Sequence, residues 1–293
     1  MNLITTVMQI VAPVCILAGI GFAWAKLGYE YRMEFVTRLS MTLGVPCLIF
    51  TALMKTNINP AALTSVLLAS VIAYALLTVI FWGLVIVLKL DRRTFLAPLI
   101  FGNTGNLGLP LALFAFGEAG LGYAVVIFAV MVVWSFTFGI WLVSGGGSLL
   151  RVIKEPAMAA TLLGALFLRQ GWTTPLWLTN SLDLIGQMAI PLMLITLGVA
   201  IARLGVGQLG RAFWLSLARA ALCLLVAVAT GWAFGLQSVP LAVLILQITT
   251  PVAVTSYLLA EKYGADADAV AGLVIISTVM SIVTLPLTLS FLI

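Results

Sequence analysis

Two stretches of this sequence place uncharged polar side chains inside otherwise apolar surroundings. The first reads Ala97-Pro98-Leu99-Ile100-Phe101-Gly102-Asn103-Thr104-Gly105-Asn106-Leu107-Gly108-Leu109-Pro110. The second reads Val239-Pro240 and then Leu246-Gln247-Ile248-Thr249-Thr250-Pro251. In each, a first proline falls near a helix start, where its missing N–H costs nothing. A second follows a few turns on, from Pro98 to Pro110 and from Pro240 to Pro251, about 16–18 Å along a helix. At that depth the ring removes a hydrogen bond and clashes with the preceding turn. Pro110 and Pro251 are therefore expected to break their helices, with Gly105 and Gly108 loosening the first break further. Broken helices free N–H and C=O groups that hydrocarbon does not tolerate. Asn103, Thr104, Asn106, Gln247, Thr249 and Thr250 can patch those groups or coordinate a solute. Each downstream half-helix starts near its proline with free N–H groups and a positive dipole end. Two such ends facing each other make a site for an anion such as a carboxylate.

Other chemistry is closed off. The chain has no histidine, which excludes Ser-His and Cys-His catalysis, His-ligated zinc and histidine proton relays. Cys15, Cys47 and Cys223 lie in apolar runs without CxxC spacing and read as small buried hydrophobes. No nucleophile with a base and no paired mid-membrane carboxylates are present, so neither an enzyme nor a cofactor or metal is expected. Along the chain no Asp, Glu, Lys or Arg lies close to either break; Glu118 and Glu261 are each about a half-helix away. A carboxylate-based sodium or proton site is hard to build there. Arg219 lies about two turns into its own apolar run, where it either snorkels to the surface or packs between helices, or else lines a substrate pathway. Asp183 reads as a helix start. Gly205-Val206-Gly207-Gln208-Leu209-Gly210 matches GxGxxG but follows an apolar helix and no strand, so it is rejected as a dinucleotide site.

The elements that must hold these residues follow from composition. Of 293 residues, 63% are hydrophobic and 8% charged, with a mean hydropathy of +1.24; a soluble domain carries roughly 25% charged residues. Only a bilayer resolves that imbalance. Apolar runs fall at about 4–26, 35–54, 62–89, 94–117, 121–143, 156–170, 181–202, 211–235, 239–260 and 269–292, each near the roughly 20 residues of a span. The fold class is thus all-α and polytopic, with ten transmembrane helices. The first run lacks a basic flank and a cleavage site and reads as a retained span. The net charge of +5 marks topology rather than nucleic-acid binding. The odd loops hold Lys26, Arg32, Arg38, Lys89, Arg92, Arg93, Arg151, Lys154, Arg203, Arg211 and Lys262; the even loops and termini hold Lys55 and Arg169. The odd loops belong in the cytoplasm and both termini outside, in a bacterial inner membrane with the termini periplasmic. Trp24, Trp172, Trp177 and Trp232 read as belt anchors.

Prolines reveal an internal repeat. Pro13, Pro46, Pro98 and Pro110 align in order with Pro156, Pro191, Pro240 and Pro251. Gly21, Lys26 and Gly28 match Gly164, Arg169 and Gly171 beside the first pair. The flexible stretch Ser144-Gly145-Gly146-Gly147-Ser148 divides the chain into repeats at 1–147 and 148–293. Because five is odd, two five-span units in series are inverted, the arrangement of a secondary transporter with broken, crossing spans four and nine.

The motif Asn103-Thr104-Gly105-Asn106-Leu107-Gly108-Leu109-Pro110 resembles the auxin efflux carrier family, which includes bacterial organic-acid permeases and plant PIN-type carriers. Gln247 ahead of Pro251, Ala260-Glu261-Lys262-Tyr263 and Leu285-Pro286-Leu287-Thr288-Leu289 extend the likeness along the whole chain. The resemblance implies a scaffold of spans one, two, six and seven, a homodimer through that scaffold, and a mobile transport part of spans three to five and eight to ten. It maps the family's crossover asparagine onto Asn103, its crossover prolines onto Pro110 and Pro251, and its span-nine glutamine onto Gln247. Asn106 departs from plant members, which commonly carry an apolar residue there; the extra amide suits an acid smaller or more polar than indole acetate.

The expected function is secondary transport of a small organic anion, with malonate, malate and an auxin-like acid all open, by uniport or export. One exported monoanion gains about 2.3 kcal/mol per 100 mV of inside-negative potential. A sodium- or proton-coupled carboxylate symporter is the alternative, and a channel or structural subunit a more remote one.

Overall fold

In hydrocarbon a backbone must satisfy its own polar groups, and this chain does so with helices. The computed structural model describes residues 3–55, 60–144, 156–204 and 209–292. Among them there is no strand, only an isolated antiparallel bridge between Gly102 and Val252. Helix α1 spans Leu3–Lys26. Met33–Leu39 (α2) continues through a wide π-type turn, Ser40–Gly44, into α3, Val45–Lys55. Pro60–Val87 is α4 and Arg92–Ile100 is α5. A second wide turn, Thr104–Gly108, leads into α6, Leu109–Trp134, and a third, Ser135–Gly139, into α7, Ile140–Ser144. The remaining helices are α8 (Pro156–Gln170), α9 (Leu176–Gln187), α10 (Ala189–Arg203), α11 (Leu209–Ala233), α12 (Ser238–Ile248), α13 (Val254–Tyr263) and α14 (Ala267–Leu292). The Gly145–Ser148 linker and most of the rejected GxGxxG stretch fall outside the described residues.

Among the described residues, seven helical runs are long and apolar enough to cross a bilayer. The difference from ten apolar stretches has physical causes. The fourth and ninth stretches are interrupted. Helix α8 has 15 residues, about 22 Å of rise. The run Thr104–Val143 has 40 residues, about twice a membrane thickness, but it is interrupted at Gly117, whose φ of 64° and ψ of −157° are not helical. That positive φ suits a residue without a Cβ.

Bulky side chains such as Val79, Trp214, Leu225 and Ile282 stand exposed, as outward faces of membrane helices should. The four candidate belt tryptophans are exposed as well. Two expectations are corrected. Cys15 is exposed, with only Cys223 fully buried, because α1 turns one face outward. Asp183 does not start a helix: α9 begins at Leu176, where Pro175 at φ −54° presets the turn, and Asp183, well inside it, pairs with Lys55.

Inside, small residues let backbones meet. Helix α1 lies against α10, where a Cβ on Gly21 or on Gly198 would run into the carbonyls of Ile195 or Ala18. Helix α3 lies against α8, where Gly164 faces Leu53.

Candidate functional site

Helix α5 opens on Asp91, whose carboxylate accepts from the Thr94 N–H at 2.9 Å and the Thr94 hydroxyl at 2.6 Å. It ends after Ile100. Phe101 is extended (φ −92°, ψ 120°), Asn103 has φ −80° and ψ 52°, and helical bonding resumes at Thr104. In the second stretch α12 ends at Ile248 and α13 begins at Val254, with Ala253 extended. The ninth stretch therefore breaks at Pro251, as expected. The fourth breaks at Phe101–Asn103, two turns ahead of Pro110, which corrects the expected position. Pro110 sits instead at the start of α6, behind a turn in which the Leu109 N–H reaches back five residues to the Thr104 carbonyl. A widened turn moves the preceding carbonyls away from the ring and absorbs the proline without ending the helix. Ser40–Gly44 stands in the same relation to Pro46.

The two interruptions lie antiparallel. The Asn103 N–H donates to the Pro251 carbonyl at 2.7 Å and the Ala253 N–H to the Phe101 carbonyl at 3.3 Å. The Val252 N–H donates to Ser277 Oγ at 3.0 Å. Arg219 reaches two more carbonyls: Nε donates to that of Leu99 at 2.9 Å and Nη1 to that of Thr250 at 2.7 Å. Arg219 is 2% exposed, so it does not snorkel, and the expectation that no cation lies near either break holds along the chain but not in space. Helix α11 buries Ala212, Leu215, Ser216, Arg219, Cys223, Val226 and Thr230 on one stripe, and Arg219 is on it. That helical spacing of small and polar residues, against the bulky Phe213, Trp214 and Leu225, is the sequence signal that places it. Ser277 has a weaker one, a serine four residues before Ser281 in an apolar helix.

Glycines let these parts approach. A Cβ on Gly102 would collide with Thr250 Oγ1 and come within 3.1 Å of Arg219 Nη2; one on Gly108 would collide with the Gln247 amide; one on Gly105 would meet Phe128 at 3.0 Å. Gly105 and Gly108 thus serve by making room rather than by loosening a break.

Among the expected ligands the structure separates two groups. Thr249 Oγ1 donates to the Ile245 carbonyl at 2.8 Å and Thr250 Oγ1 to the Gln247 carbonyl at 2.7 Å; both hydroxyl protons are used on the end of α12. Asn103, Thr104 and Gln247 are at most 5% exposed, yet Asn103 Nδ2, Thr104 Oγ1 and both amide atoms of Gln247 have no hydrogen-bond partner. Asn106 is partly exposed. The first turns of the helical segments starting at Thr104 and Val254 lie beside these groups, bringing the positive ends of two dipoles.

Two cavities approach from different sides. One, of about 220 Å³, reaches Leu107 and Leu111 between α1, α10 and α14 and is mainly apolar. The other, of about 390 Å³, runs beside Leu113 and Phe114 of α6 and holds Lys55, Glu118 and Asp183. Neither is lined by Asn103, Thr104 or Gln247; in this conformation the polar groups are sealed off.

A family described as membrane transport protein matches residues 6–148 and 140–289. An uncharacterized transporter of Methanothermobacter thermautotrophicus is 26% identical over 296 residues, covering 95% of this chain and 96% of its own. Another, from Methanocaldococcus jannaschii, is 25% identical over 310 residues, covering 96% of this chain and 97% of its own. A multi-pass helical chain with two interrupted helices in contact is thus similar end to end to transporters, and it belongs to the membrane transport protein family, that of the auxin efflux carriers.

Proposed function

We propose that the protein is a secondary carrier for a small organic anion, whose carboxylate is held at the crossing of the two interrupted helices. One observation carries the reading. The carbonyls of Leu99, Phe101, Thr250 and Pro251 and the N–H groups of Asn103, Val252 and Ala253 find partners in each other, in Arg219 and in Ser277, so the amides of Asn103 and Gln247 are not used to patch them. Buried amides without partners are costly, and a carboxylate offers what Asn103 Nδ2, Gln247 Nε2 and the Thr104 hydroxyl can donate to. The helix ends at Thr104 and Val254 add positive potential. Thr249 and Thr250 act as caps that fix the geometry, and Asn106, partly exposed, stands at the approach.

The architecture in this reading is ten spans in two inverted repeats, 1–147 and 148–293. The packing supports it: α1 against α10 pairs spans one and seven, α3 against α8 pairs spans two and six, and the repeat exchanges these pairs. Spans one, two, six and seven then form the scaffold and the homodimer interface, and the others the moving part. The loop charges support a reading in which the protein sits in an inner membrane with both termini outside. Transport is uniport or export, since an inside-negative potential expels an anion without a coupled ion. No residue constellation supports catalysis.

The test is a thermal-stability screen of purified protein with malonate, malate and indole-3-acetate, followed by counterflow in proteoliposomes. A ligand is expected to stabilise the wild type, to saturate in counterflow, and to do neither with Asn103→Ala. Equal stabilisation of both proteins removes Asn103 from the site. Flux without saturation or counterflow indicates a channel, and a strict need for a sodium or proton gradient indicates the symporter.

A further inference from the structure

Arg219 carries a full charge in a sealed interior without a carboxylate partner among the described residues. Buried charges persist only when compensated. Here the compensation comes from backbone: Leu99 lies in the last turn of α5 and Thr250 just beyond the end of α12, and the guanidinium donates to both carbonyls. Each helix C-terminus carries about half a negative elementary charge, so two of them balance one guanidinium. The helix beginnings at Thr104 and Val254 contribute about half a positive charge each. With Arg219 in place the crossing is therefore net positive by about one charge; without it the four helix ends cancel. Carbonyls at unwound half-helix C-termini are also where transporters of this build hold a coupling cation.

We propose that Arg219 is a tethered counter-cation: its guanidinium occupies the place of a coupling ion on the Leu99 and Thr250 carbonyls, so the crossing binds an anion without a co-ion. The inference rests on the reading that the anion binds at the crossing. Arg219 is a positioning and charge-setting residue through Nε and Nη1, which bond to backbone, while Nη2 is buried beside Gly102 without a partner. Its helix, α11, and the two half-helices it joins all fall in the moving part, so its charge travels with the site. The empty site then moves as a cation and the site loaded with a monoanion moves neutral. The membrane potential acts on the empty return, not on the loaded step.

The experiment measures labelled indole-3-acetate, malonate and malate in proteoliposomes, comparing homoexchange, which uses only the loaded step, with net efflux under a set potassium diffusion potential. For whichever acid the wild type exchanges, the rate is expected to be the same in sodium, potassium or N-methylglucamine salts; a requirement for sodium or a proton gradient overturns the proposal. Arg219→Gln is expected to lose homoexchange by about a hundredfold, and its residual exchange to shift in voltage dependence by one elementary charge, while Arg219→Lys keeps the wild-type voltage dependence. Residual exchange with unchanged voltage dependence in Arg219→Gln overturns it. If Arg219→Gln does not fold, the salt comparison on the wild type and the Arg219→Lys voltage profile still decide. If the wild type exchanges none of the three acids, the organic-anion reading fails on its own. The counter-cation is then read from stability: millimolar guanidinium is expected to restore the melting temperature of Arg219→Ala where equal urea does not, and no difference between the two overturns it.

Discussion

At the scale of single residues the site depends on what glycine leaves open. Gly108 faces the amide of Gln247, and a methyl group there would collide with it. Gln247 is fully buried at the end of α12, so it has little room to retreat. Gly108→Ala is expected to cost about 1–3 kcal/mol, the usual penalty of overpacking, and to displace the Gln247 amide from its place. Ligand-induced stabilisation should fall with it. In the double variant with Gln247→Ala the folding penalty should largely vanish, with a coupling of about 0.5–3 kcal/mol, while ligand stabilisation stays lost. Additive stability losses in that cycle would show that the two residues do not meet. The types of these residues were legible in the sequence: Asn103, Gln247 and their glycines stand out against an apolar background. The partner of Leu99 and Thr250 was not, because Arg219 is distant along the chain, and only packing of α11 against both interruptions brings it there.

Elements were legible to different degrees for a related reason. Pro251 marks its break because no widened turn precedes it; Pro110 does not, because Thr104–Gly108 opens to five-residue hydrogen bonding and accommodates the ring. A proline states that a backbone bond is missing, and whether the helix breaks or widens depends on what packs around it. In the same way α9 begins earlier than hydropathy indicates, since Thr179, Asn180 and Asp183 lower the apolar signal of a segment that Pro175 starts. Helix pairing leaves its mark in small residues. Gly21 and Gly198 bring α1 and α10 into backbone contact, and in a membrane such close packing is a main source of helix association. Gly198→Leu is therefore expected to destabilise the protein by about 1–3 kcal/mol or more, as a lowered melting temperature in detergent. A leucine at Gly19, which is exposed and where a Cβ would meet nothing within 4 Å, should be close to neutral. Equal effects at the two positions would mean that α1 and α10 do not pack as described.

For the whole molecule, sealed polar groups and two cavities pose a question of motion. Asn103, Thr104 and Gln247 open to neither cavity, so a solute held by them reaches water only if one set of helices shifts against another. The proposed division identifies which: α1 to α3 and α8 to α10 stay, while α4 to α7 and α11 to α14 move. The Lys55–Asp183 pair joins α3 to α9 and lies entirely in the static set, so it frames the passage without having to break. The cavity lined by Val14 of α1 and Leu111 of α6 crosses the boundary between the sets. Ala18 and Gly198 belong to one set. In a background without Cys15, Cys47 and Cys223, a cross-linked cysteine pair at Val14 and Leu111 should abolish counterflow and recover it on reduction. A pair at Ala18 and Ile195, across the close contact of α1 and α10, should leave counterflow largely unchanged, since a link within one set of helices does not restrain motion between the sets. Loss of transport from both links alike would mean that α1 and α10 move against each other, and the boundary would have to be drawn elsewhere.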